Sequence, residues 1–89
     1  MSGRERFEPY AMERIAGGYA VHEPVTGLRA ERRLVGDAIA EVHRLLAARK
    51  AELRDRDPAT LDPRERRELD RLRRYSDRFL REGLKAGAA

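Results

Sequence analysis

Cysteine and tryptophan are absent from the 89 residues. No disulfide can brace the fold, and no thiolate is available as a nucleophile or metal ligand. Histidine is scarce as well: His22 and His43 lie far apart, too few for a conventional structural zinc site. Long apolar runs are missing. The longest, Leu45-Leu46-Ala47-Ala48, falls far short of a bilayer span. The stretch Met1 to Glu8 is charged and has no apolar core, unlike a signal peptide. These absences predict a soluble, cytoplasmic protein with no membrane contact, no cofactor and no metal.

What is abundant is charge, at 40% of residues, beside an equal 40% of hydrophobic residues. A chain this short forms one domain and buries a modest fraction of its surface. With disulfides and zinc excluded, oligomerisation or docking onto a partner is the expected supplement to the core. The net charge is +4, and eighteen of the twenty basic residues are arginine. Arginine grips carboxylate and phosphate in a planar fork. Codon usage in a GC-rich, bacterial type of genome accounts for most of that ratio.

Three segments follow one another. Residues 1–27 hold three of the five aromatics, two of the four prolines and four of the seven glycines. They read as a turn-rich arm with one short helix, started by Pro9 and stopped by Gly17. Beyond Gly18 the arm is extended, with weak strand character from Tyr19 and Val21. From Leu28 to about Arg54, Val35, Ala38, Ile39, Val42, Leu45, Leu46 and Leu53 recur at helical spacing. Arg49 shares that stripe, and Gly36, Ala40, Ala47 and Ala51 form a small-residue strip beside it, so this helix should touch neighbours on two sides. Asp57-Pro58 marks a single turn. Asp62-Pro63, with Glu65 completing a capping box, starts a last helix running to about Glu82. Leu69, Leu72, Ser76, Phe79, Leu80 and Gly83 make its narrow apolar stripe, with Tyr75 at the edge and Gly83 as the stop. Residues 85–89 are expected to fray.

The predicted fold is therefore all-α. Residues 28–84 form an antiparallel two-helix hairpin, and two copies pair into a dimeric four-helix bundle. Val35, Ile39, Val42, Leu46, Leu53, Leu69, Leu72 and Phe79 are the expected apolar interface. A competing arrangement is a monomer with the arm laid across the hairpin, anchored by Phe7, Tyr10, Ile15 and Tyr19.

On the last helix, Arg64, Arg67, Arg71, Arg74, Arg78, Arg81 and Lys85 succeed one another at steps of three and four, which predicts one basic face about 30 Å long. Such a rod can follow a phosphate backbone. Acids flank it, however: residues 62–82 carry eight arginines and six acids, a net of only +2. No aromatic is interleaved for base stacking, so a salt-bridged solvent face competes with a polyanion-binding one. A second cluster, Arg29, Arg32 and Arg33, sits at the expected start of the first long helix, where cations oppose the macrodipole. The arm, through Tyr10, Tyr19 and Val21, is a further candidate contact for a partner's sheet edge or groove.

Catalysis finds little material. His43 has no histidine or carboxylate three or four residues away and reads as a boundary residue. Ser76 has leucines four residues to either side and no adjacent base. No glycine-rich phosphate loop is present. Leu28-Arg29 and Leu45-Leu46-Ala47-Ala48-Arg49 resemble the first helix of the all-helical chorismate mutases, which would imply arginines binding a dicarboxylate. The match covers about 22 residues, its two pieces are wrongly spaced, Asp37 is out of register, and no room remains for a third helix after Gly83. The expected function is a non-enzymatic protein–protein interaction module with no small-molecule substrate. Its partner is another protein, a second copy, or both. The alternative is a nucleic-acid-binding protein using the arginine stripe.

Overall fold

A computed structural model describes residues 10–84, and side chains as far as Gly83. The fold is α+β, which overturns the all-α expectation. Strands β1 (Ala11–Ile15), β2 (Gly18–His22) and β3 (Arg29–Arg32) precede helix α1 (Val35–Arg54). A single 3-10 turn at Pro58–Thr60, helix α2 (Pro63–Arg73) and helix α3 (Asp77–Leu84) complete the order. The strands form one antiparallel sheet in sequence order. Pro9, Phe7 and the tail with Lys85 lie outside the described residues.

No short helix forms between residues 11 and 17. Gly17 is instead the second residue of a tight turn joining β1 to β2, with Ile15 opposite Gly18. Its φ of +83° is the left-handed conformation that a side chain disfavours. The β2–β3 loop closes through Glu23, whose N–H donates to the Leu28 carbonyl (2.8 Å) and whose carbonyl accepts from Gly27 N–H (2.8 Å). Gly27, at φ +76°, supplies the second left-handed bend.

The first long helix begins seven residues later than expected, because residues 29–32 pair with β2. Met12, Val21 and Ala30 stand opposite one another across the strands, so they share a face. Leu28 and Ala30 turn toward the helices while Arg29 and Glu31 turn away, a period-two pattern within an arginine-, alanine- and glutamate-rich stretch. Pairing and burial override the helix preference of those residue types. On the opposite face Arg29 bridges Glu13 of β1 (3.3 Å) and its neighbour Glu31 (2.7 Å). The Arg29, Arg32, Arg33 cluster therefore precedes the helix, with Arg33 next to the N-cap residue Leu34 and Arg32 paired with Glu41 (3.7 Å). The strand also removes the helical context of Leu28-Arg29 on which the chorismate mutase resemblance depended.

The last helix is two helices. Arg74 caps α2 in a helical conformation, and the chain resets at Ser76. Ser76 Oγ accepts from Phe79 N–H (3.0 Å), the N-cap bond that starts α3. Lys50 Nζ donates to the Tyr75 carbonyl (2.7 Å), satisfying a backbone acceptor exposed by the break. The Asp62–Glu65 capping box forms as expected, at 2.7 and 3.1 Å, as does the Asp57-capped turn before it.

The core runs through all these elements. Val21 and Ala30 of the sheet, Ala38, Val42, Leu46 and Leu53 of α1, Leu61, Leu69 and Leu72, Tyr75 and Leu80 are buried together. Helix α1 touches β2 and β3 on one side and α2 and α3 on the other. The apolar stripe expected to pair copies of the chain is thus buried within it, α1 packing against the chain's own sheet and against α2 and α3. Val42, Leu46, Leu53, Leu69 and Leu72 are core, Ile39 and Phe79 pack at its margin, and only Val35 is substantially exposed. The physical reason for a dimeric four-helix bundle disappears with that exposed face.

Candidate binding cleft

The arginine series does not form one continuous face. Arg64 and Arg67 are exposed on α2, Arg78 and Arg81 on α3, and the break at residues 74–76 separates the two sets. Arg71 turns inward. Its guanidinium meets Glu23 through Nε (2.8 Å) and Nη2 (2.7 Å), and Glu23 is fully buried. Tyr75 Oη donates to the same carboxylate oxygen (2.7 Å). The other oxygen accepts from the backbone N–H groups of Val25 (3.0 Å) and Thr26 (2.9 Å). One carboxylate thereby shapes the β2–β3 loop and fastens it to α2. Burial alone would raise the Glu23 pKa, but the bonds from Arg71, Thr26 and Tyr75 prevail and hold it below the usual carboxylate range.

His43 is core, not boundary, at 1% exposure. Its Nδ1 lies 3.2 Å from the Leu80 carbonyl and its Nε2 2.9 Å from Tyr10 Oη. The carbonyl can only accept, so Nδ1 carries the proton and Nε2 accepts from the tyrosine. The Phe79 ring lies 4.8 Å from the imidazole. Burial pushes the His43 pKa down. Tyr10 thus has its partner inside the chain, and Tyr19 and Val21 are committed to β2, so this part of the arm is a component of the fold.

The cleft with chemical character lies between α1 and α3 and encloses about 220 Å³. Its floor is Ala47, Ala51 and Leu80. The small alanines let α3 come close, and Gly83 completes the approach: a side chain there would collide with the His43 ring. Lys50, Arg54 and Arg81 line the walls, against a single carboxylate, Asp77. Lys50 Nζ reaches Asp77 at 3.1 Å and Arg54 Nη1 reaches it at 3.9 Å. Lys50, hydrogen-bonded to it, holds the Asp77 carboxyl below its ordinary range, with smaller contributions from Arg54 and Arg81. Three cations against one anion leave a surplus of +2 around an apolar floor.

Sequence periodicity singled out Arg81 but missed Lys50 and Arg54, one turn apart on α1, and Asp77, which joins them only because α3 folds back. Ser76-Asp77, a serine followed by an acid, was the available signal for the helix start that brings them together. Glu23 was missed too, since nothing local distinguishes a loop glutamate that an arginine 48 residues away will pair.

Among the described residues no cluster of side chains is suited to a metal ion, and no helix is long and apolar enough to cross a membrane. In comparisons with known proteins, no family model, no curated protein and no solved structure matches the chain.

Proposed function

We propose that the protein is a non-enzymatic interaction module that docks an acidic segment of a partner protein in the cleft between α1 and α3. The observation that carries this reading is the surplus of cations around an apolar floor. Lys50, Arg54 and Arg81 offer charge to carboxylates, while Ala47, Ala51 and Leu80 offer a surface for one aliphatic side chain. The pairing of charged rim and apolar centre is the general anatomy of a protein-binding surface. A second reading, binding of a polyanion such as nucleic acid, is supported by Arg64, Arg66 and Arg67. These three residues lie on the first turns of α2 and make no ion pair among the described residues.

The two readings separate in a fluorescence anisotropy titration. One probe is a short labelled peptide of glutamates around a leucine; the other is a mixed-sequence DNA duplex. The protein-module reading expects peptide binding that weakens moderately with salt and is lost when Arg54 and Arg81 are both changed to glutamate. Binding of the duplex alone, unaffected by that double change and abolished by glutamates at Arg64, Arg66 and Arg67, would replace it with the second reading.

A further inference from the structure

Asp77 is the feature of the cleft that its function as an open anion site does not explain. It stands at the first residue of α3 and points its carboxylate into the cluster it partly neutralises, 3.1 Å from Lys50 Nζ and 3.9 Å from Arg54 Nη1. Its side chain is 61% exposed, whereas that of Lys50 is only 12% exposed. The lysine does not depend on it for placement, because Lys50 also donates to the Tyr75 carbonyl at 2.7 Å. Asp77 is not the cap of α3 either; Ser76 fills that role. In the first turn of α3 the carboxylate also favours the positive end of the helix, and it occupies, from within the chain, the position that a partner's carboxylate would take.

We infer that Asp77 is a built-in competitor that sets the selectivity of the cleft, an inference that rests on the acidic-partner reading. A ligand bringing one carboxylate must displace or share the place of Asp77 and gains little. A ligand bringing two or more can use Arg54 and Arg81 as well as Lys50, so the cleft selects segments with clustered acids. Removing the internal carboxylate also removes its repulsion of the incoming ones. One unit charge at contact distance in a solvent-facing site corresponds to about a fivefold change in affinity.

The test compares wild type with Asp77→Asn, which keeps the size of the side chain, using the glutamate–leucine peptide at low and near-physiological salt. Circular dichroism and thermal unfolding confirm that the variant is folded, and a version of the peptide with glutamine for glutamate reports non-electrostatic binding. The expected result is that Asp77→Asn binds the acidic peptide about fivefold more tightly, that the gain shrinks as salt rises, and that the glutamine peptide shows no gain. If Asp77 only holds α3 against α1, the substitution weakens binding or leaves it unchanged. That outcome, with wild-type binding intact and lost in the Arg54→Glu, Arg81→Glu protein, overturns the competitor and keeps the docking reading. Failure of both wild type and Asp77→Asn to bind the acidic peptide overturns the two together.

Discussion

Glu23 carries a charge to a position with no solvent exposure, and everything around it answers that charge. Arg71, Tyr75 and two backbone N–H groups supply its bonds. Removing one partner of such a buried pair strands the other, which costs about 3–5 kcal/mol. Arg71→Met is therefore expected to lower the unfolding free energy by about 3 kcal/mol or more, measured by urea denaturation. Adding Glu23→Gln to it should recover part of the loss, because the two effects share one interaction. The pH dependence has a definite sign. The folded-state pKa of Glu23 lies below that of an unperturbed glutamate, so its contribution is present above the ordinary carboxylate range and is lost as pH falls through the lowered value. His43 adds a second window. Its pKa is pushed below 6.5, so stability falls as pH drops below 6.5 and the unfolded chain takes up the proton first. Unfolding curves across pH 7 to 5 check this directly, and His43→Gln should flatten them. Gly83→Ala forces the imidazole to move and is expected to cost about 1–3 kcal/mol in the same assay.

Elements were legible in the sequence where their signals are local, and illegible where a distant partner decides. The Asp62-Pro63-x-Glu65 start of α2, the Asp57-capped turn and the body and end of α1 follow from caps and periodicity within a few residues. The identity of β3 does not. Arg29-Ala-Glu-Arg32 has helix-favouring residues, and only pairing with β2, set by the Glu23–Leu28 loop and its Gly27 bend, makes it a strand. The break between α2 and α3 is intermediate: Ser76 occupied a stripe position, and its role as N-cap depends on Tyr75 being drawn into the interior by Glu23. The cap can be tested alone. Ser76→Ala removes the hydroxyl that accepts from Phe79 N–H and is expected to destabilise by about 1 kcal/mol. Because α3 forms one wall of the cleft, the same change should weaken acidic-peptide binding as well as stability.

At the scale of the whole molecule, the sheet does what a second copy was expected to do. It covers the apolar face of α1, so the core closes within one chain. Size-exclusion chromatography with light scattering should accordingly give a mass near 10.2 kDa at micromolar concentration. The covered face redirects the search for a binding surface away from the helical stripe and toward the junction of α1 and α3, where fold and charge coincide. Titration of the isotopically labelled protein with the glutamate–leucine peptide, followed by amide chemical shifts, tests that placement most directly. The account predicts shifts concentrated at Lys50, Ala51, Arg54, Asp77 and Arg81, saturating with peptide. Shifts confined to the first turns of α2, around Arg64 to Arg67, or no shifts at all, would contradict it.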